Sequence, residues 1–245
     1  GKFLFSFIIA KHKSGYFMDC EKSQTEMLLK QLNTYKLRSK VEIMNLSNEF
    51  VIAVINKEKF LKFEGSKDVV GHTIKYREDS IILDPRNKNL GARLIINLEK
   101  LYLSLKKLGL KSSPVDGYYK MSHELGIPQK NMNALQNKLF GIECNFEEQN
   151  GIDFQKGCYV GQENTARIKL KNKLSKRLLP VQLIDGELNQ DDLIYNGEFE
   201  VGKILINKEY PFALIKYLDV HFNDKAEFKC GNSILKIKKP DWIKD

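Results

Sequence analysis

Apolar and polar positions change rhythm several times along the chain. Phe3 to Ala10 is rich in Phe and Ile and predicts a strand; Lys13-Ser14-Gly15 predicts a turn and Tyr16 to Asp19 a returning strand. From Ser23 to Leu37, Met27, Leu28, Leu32 and Leu37 recur at near-helical spacing, and Ser23 with Glu26 three residues on fits a capping box. Val41 to Met44 and Phe50 to Asn56 predict two strands around a polar turn, while the charged stretch from Lys57 to Ser80 is ambiguous. Ile81 to Leu83 predicts a short strand ended by Asp84-Pro85-Arg86, and Leu94 to Asn97 another. Leu98, Leu101, Tyr102, Leu105 and Leu108 mark a helix stopped by Gly109; Pro114 opens a second, stopped by Gly126 and Pro128. Strands and helices mix without regular alternation, which predicts an α+β fold with antiparallel sheets.

From Arg177 onward short alternating runs follow at close spacing: 178–184, 192–195, 198–206, 212–217, 226–229 and 233–237. Asp185-Gly186, Asn196-Gly197 and Cys230-Gly231-Asn232 punctuate them, the pattern of a small all-β barrel or sandwich. The expected domains are therefore 1–173, an α+β region, and 174–245, a C-terminal β-barrel.

The 245 residues are 42% hydrophobic and 29% charged, as in an ordered globular protein. The longest apolar stretch has about eight residues where a membrane-spanning helix needs roughly twenty, so no membrane partner is expected. Four cysteines, Cys20, Cys144, Cys158 and Cys230, include no C-x-x-C pair. This argues against a disulfide scaffold or a self-contained zinc site and for a reducing compartment, the cytoplasm or, in a eukaryote, the mitochondrial matrix. Four isolated histidines, His12, His72, His123 and His221, read as surface or structural. Forty basic against 31 acidic residues give +9. That charge suits an anionic partner, but Lys-rich compositional drift explains it equally well.

Chemistry concentrates between Asn150 and Glu163. This stretch holds three glycines, Lys156, the thiol of Cys158 and the pair Gln162-Glu163. Gly157 removes bulk beside the sulfur, and Lys156 two residues away favours the thiolate, the form that ligates iron or attacks an electrophile. Gln162 and Glu163 offer groups that read a planar heterocycle. The competing reading is a tight turn around a buried cysteine that serves as a small hydrophobe. The run Arg167, Lys169, Lys171, Lys173, Lys176, Arg177 contains no acid. It is either a solvated linker or a landing site for a polyanion.

Lys156-Gly157-Cys158-Tyr159-Val160-Gly161-Gln162-Glu163 resembles the K-G-C-Y-x-G-Q-E signature of the YgfZ family, folate-binding proteins linked to iron–sulfur cluster assembly and related to the glycine-cleavage T-protein. Asn150 to Phe154, Thr165-Ala166-Arg167, Lys176 to Val181, Gly126-Ile127-Pro128, and Asp84-Pro85-Arg86 with Leu90-Gly91-Ala92-Arg93 resemble further family segments. Family members begin with a strand and helix before the segment resembling Gly1 to Ala10, so a missing N-terminal piece is expected. Gly141-Ile142-Glu143-Cys144-Asn145 stands where the family has a Pro-containing turn; it keeps Glu143 but puts the rigid turn in question.

The resemblance implies a cavity for a reduced folate, tetrahydrofolate. Glu143, or else Glu163, would read the pterin edge, and Lys156 and Arg167 would meet the glutamate tail. Tyr159, Gly161 and Gln162 complete the implied contact set. Cys158 would be the functional thiol. A lone cysteine cannot hold an iron–sulfur cluster, so a cluster would be shared transiently with an assembly or client protein. Gly1 to Ser6 lacks the acidic pair of the T-protein, which argues against aminomethyl transfer. The expected role is thus a maturation factor, not itself a turnover enzyme, that serves cluster enzymes including tRNA-modifying ones. The rivals are a folate-dependent one-carbon transferase and a basic RNA-binding module, although no interleaved aromatics support RNA readout and tRNA is expected as an indirect or weak partner at most.

Overall fold

The computed structural model describes residues 1–13, 15–170, 174–222 and 226–243. These form two compact units, one of residues 5–118 and one of residues 1–4 with 119–245.

In the first unit, β1 (Phe7–His12) pairs antiparallel with β2 (Gly15–Cys20), Ile9 opposite Met18. Alternation decides its faces: Ile8 and Ala10 are buried, Phe7 and Ile9 exposed. The inward face meets a four-stranded antiparallel sheet of order β3-β6-β5-β4, made of β3 (Phe50–Ile55), β4 (Thr73–Tyr76), β5 (Asp79–Leu83) and β6 (Ala92–Asn97). Ala10, Ile82 and Ile95 share one small core there with Phe17 and Phe50, whose ring centroids lie 4.8 Å apart. The opposite sheet face buries Ile81, Leu83, Leu94 and Ile96 with Phe60 from the short α2 (Lys57–Phe60). Leu101 and Leu108 of α3 (Leu98–Lys107) pack on that core. Asn97 caps α3 by accepting from the Glu99 N–H.

Helix α1 (Thr25–Tyr35) is shorter than its apolar spacing predicts. A 3₁₀ turn, Lys22–Gln24, precedes it, and Ser23 supplies no capping hydrogen bond. Residues 41–44 correct a second expectation: they form no strand, and Val41 and Met44 are exposed. Apolar character alone made that segment look like a strand, but a strand needs a neighbour to take its backbone bonds. The strand expected from Phe3 begins only at Phe7, because Phe3 belongs to a core of the other unit.

The boundary between units falls inside α4 (Asp116–Glu124), whose last residues, like Ile127, belong to the second unit. That unit ends in β7 (Lys176–Asp185), β8 (Leu193–Asn196), β9 (Phe199–Ile206), β10 (Phe212–Lys216), β11 (Phe228–Cys230) and β12 (Ser233–Ile237). These close into a six-stranded barrel of order β10-β7-β12-β11-β8-β9. Leu179, Val181, Ile194, Ile204, Ile215 and Leu235 fill its interior. The α+β fold with antiparallel sheets and a C-terminal barrel is therefore present. Position 174 marks the approach to the barrel, whereas the division into compact units lies at 118/119 and joins residues 119–170 to the barrel. A second core makes that join: Leu178, Leu205, Phe212 and Leu214 of the barrel strands pack with Leu135, Leu139 and Cys144.

Candidate functional site

The site grows from the turn at residues 140–149, within the second unit. Glu143 Oε2 accepts the Phe140 N–H at 2.8 Å, and the Phe146 N–H reaches the Gly141 carbonyl at 3.1 Å. The rigid turn thus forms without proline. Its far side is sewn to β7. Leu178 donates its N–H to the Glu143 carbonyl at 2.8 Å, and Asn145 Nδ2 donates to the Leu178 carbonyl at 2.8 Å. Arg177 donates to Asn145 Oδ1 at 2.9 Å and pairs with Glu148 Oε1 at 2.7 Å. Asn145 and Glu148 were not among the residues expected at the site, and Arg177 was expected only as the end of the basic run. Only the spatial return of β7 onto the turn brings them together.

Burial pushes the Glu143 carboxyl above its ordinary value, against the Phe140 N–H, Lys176 and Lys2, which favour the anion. Cys144, one residue on, is fully buried, and its thiol is pushed up to about 12. Cys230 is buried in the barrel and pushed up to about 11. Burial likewise raises Cys20, which is only half-buried and has Thr25 Oγ1 at 3.7 Å. All four thiols are free, and Cys158 differs from the other three in being exposed.

From Gly151 to Val160 the chain runs out exposed, except for half-buried Ile152, with neither helix nor strand. It then turns into α5 (Gln162–Leu170). Lys156 Nζ sits 4.4 Å from the centroid of the Tyr159 ring. Gln162 Oε1 accepts the Tyr159 N–H at 3.1 Å and so holds the start of the helix. Gly161 makes this bend possible. Its φ is +86°, and a Cβ there would stand 2.5 Å from the Gly1 nitrogen. Glu163 and Arg167 lie four residues apart on α5, both exposed, and neither forms an ion pair with a described residue. Lys169 is held by Glu147 and stands 5.3 Å from the Phe154 ring. Of the basic run, Lys171 and Lys173 fall outside the described residues.

Within the signature, Lys156 meets the Tyr159 ring and Gln162 accepts the Tyr159 N–H, while Cys158 between them in sequence is exposed. Glu143 belongs to the neighbouring turn, and among the described residues no hydrogen bond or ion pair links it to residues 156–167. The donor types are those a folate would use: a partly buried carboxylate whose Oε2 accepts the Phe140 N–H, and exposed cations in the signature and on α5. Among the described residues no three His, Cys, Asp or Glu side chains gather closely enough to hold a metal ion.

A second polar constellation lies in the first unit. Arg93, buried, places Nε 2.6 Å from Asp19 Oδ2, NH1 3.4 Å from Asp84 Oδ2, and NH1 2.9 Å from the Tyr118 hydroxyl. Arg86 clamps Asp84 through two nitrogens at 3.0 and 2.7 Å. Burial alone would raise the Asp84 carboxyl, but Arg86 and Arg93 together hold it below its ordinary value. Gly91 lets this hairpin fold back: its φ is +84°, and a Cβ there would lie 2.3 Å from the Ile55 carbonyl oxygen.

No family model matches the chain. It is 30% identical over 170 residues to the protein of Dictyostelium discoideum named iron–sulfur cluster assembly factor IBA57 homolog, mitochondrial; the match covers 68% of this chain and 41% of that one. The Mus musculus iron–sulfur cluster assembly factor IBA57, mitochondrial, is 31% identical over 174 residues, covering 69% and 45%. The chain therefore matches less than half the length of these relatives. Among solved structures, the glycine cleavage system aminomethyltransferase T from Bartonella henselae aligns with a TM-score of 0.68 over 99% of this chain and 73% of the other. With 9% identity that likeness is one of fold. No helix among the described residues is long and apolar enough to cross a membrane.

Proposed function

The chain belongs to the YgfZ family, and from that premise we propose that it is an accessory factor of iron–sulfur cluster assembly that binds a reduced folate and acts through Cys158. The names of its relatives support the assembly role, and they favour the mitochondrial matrix among reducing compartments. The T-protein fold supports a folate as the small-molecule partner.

One observation carries the reading: of the four thiols, only Cys158 is exposed. A cluster in transfer is cargo here. Cys158 supplies one thiolate and a partner protein, or a small thiol, supplies the others, because a cluster needs about four ligands. In this proposal Glu143 Oε1 accepts hydrogen bonds from the pterin edge, with Glu163 as the second candidate. Arg167 and Lys156 meet the carboxylates of the tail. Tyr159, Gly161 and Gln162 shape the wall. Folate binding then orders the 151–160 segment and with it the thiol. The clients include enzymes that modify tRNA through a cluster, and tRNA itself need not touch this chain.

The test has two arms. Tetrahydrofolate titrated into the chain is expected to bind, and Glu143→Gln is expected to weaken it. In cells, Cys158→Ala is expected to lower the activity of a cluster-dependent tRNA thiolation enzyme. Unchanged activity would remove the thiol from the role.

A further inference from the structure

The barrel carries an open hollow of about 600 Å³ between the β8–β9 hairpin and the turn after β10. Asn196 and Glu198 reach it from the hairpin, Phe199 and Glu200 from β9, Lys216 from β10 and Asp219 from the 3₁₀ turn Tyr217–Asp219. All belong to the second unit.

Two independent properties set this hollow apart. The first is its sign. In a chain of net charge +9, the lining has three carboxylates against one ammonium. That ammonium is already engaged, since Lys216 Nζ lies 2.9 Å from Glu200 Oε1 and donates to the Glu200 carbonyl at 3.0 Å. Glu198 and Asp219 meet no cation among the described residues. The second property is an aromatic ring with no ring or cation contact among the described residues. Phe199 is 78% exposed, and Leu218 on the adjoining turn is 74% exposed. Neither belongs to the barrel core, so the stability of the barrel does not require them to be apolar.

We propose that this hollow receives an arginine-bearing segment of a protein partner. A guanidinium stacks on the Phe199 face while its fork meets Glu198 or Asp219, and an apolar neighbour of that arginine lies on Leu218. Arginine fits better than lysine because it is planar, weakly hydrated and able to bond a carboxylate through two nitrogens. Phosphate or nucleic acid is repelled by the same carboxylates, and the lining provides no metal-holding trio. The inference is independent of folate and of Cys158, whose segment contributes nothing to this lining.

The whole chain, labelled with ¹⁵N, is titrated with acetyl-Leu-Arg-Leu-Arg-amide while amide shifts are followed. Matched peptides carry citrulline or lysine in place of arginine. The arginine peptide is expected to shift residues 196–201 and 216–219, and added salt to weaken it. The uncharged citrulline peptide is expected to bind about tenfold more weakly. Phe199→Ser is expected to cost about two- to fivefold, and the pair Glu198→Gln with Asp219→Asn a similar factor. These side chains are exposed, so the fold is expected to survive. The citrulline comparison also needs no variant. No shift at this face, equal binding of the citrulline or lysine peptide, or wild-type affinity in both variants would each overturn the proposal.

Discussion

The ammonium of Lys156 lies over the ring of Tyr159, 4.4 Å from its centroid, so the residues flanking the Gly157-Cys158 step hold each other. Such a contact at an exposed position contributes about 0.5–1 kcal/mol, a factor of roughly two to five in local opening. Tyr159→Leu is therefore expected to raise tryptic cleavage after Lys156 by about that factor, while the thermal midpoint of the whole chain stays put. Equal cleavage of the two proteins would show that the contact does not order the segment.

Gly161 sets the direction in which α5 leaves the signature. Alanine there meets both a positive φ of +86° and the Gly1 backbone at 2.5 Å. Gly161→Ala is expected to lose about 1–3 kcal/mol, read as a lower urea midpoint. Gly157→Ala, where a Cβ meets nothing within 4 Å, is expected to fold like the parent.

Asp84 sits buried between two arginines, and its neutral replacement removes the carboxylate that Arg86 and Arg93 share, leaving Arg93 with Asp19. Asp84→Asn is expected to cost about 3–5 kcal/mol. The native carboxyl is held below its ordinary value, so its contribution is present above the unfolded-state pKa. It fades as pH falls through the lower native one. Denaturant midpoints from pH 7 to pH 2 should converge for parent and variant at the acid end. A constant gap would contradict the ionic origin.

His123 follows the same sign by a different cause. Burial lowers its pKa, and Lys238 lowers it further, against the Pro211 carbonyl that accepts from Nε2 at 2.8 Å and the charge of Glu124. The neutral ring is the native form. Its share of stability is present above the ordinary histidine value and is lost as pH falls through the native pKa. His123→Gln is expected to flatten the midpoint against pH between 7 and 5. A slope equal to that of the parent would exclude His123 as its source.

Glu143 runs the other way. Its carboxyl is raised by burial, so its contribution favours the protonated form and is lost as pH rises through the native pKa. Glu143→Gln retains an acceptor for the Phe140 N–H. It is expected to match or exceed the parent in stability at pH 7 while weakening tetrahydrofolate in the titration. A variant that unfolds would assign Glu143 to the turn rather than to the ligand.

What could be read from the sequence follows from range. The barrel runs were legible because each strand alternates and each turn carries its own Gly or Asn, as in Asn196-Gly197. The signature was legible because its residues are contiguous. Residues 41–44 misled because β character is a request for a neighbour, and periodicity is silent on whether one exists. The Arg93 cluster joins Asp19 and Tyr118 to the Asp84–Arg93 hairpin, three separate stretches of chain. Arg177 meets Asn145 and Glu148 only after β7 has come back. Such contacts have no local period to reveal them.

Strand β7 lies between β10 and β12. On a ribosome it is made first among the barrel strands, yet one of its edges waits for residues 234–237, which emerge some fifty residues later. The turn bearing Glu143 hangs on that same strand through Leu178. The ligand competence proposed for this turn should therefore arise late in synthesis. A nascent chain stalled before residue 233 would then present the signature without the clasp behind it.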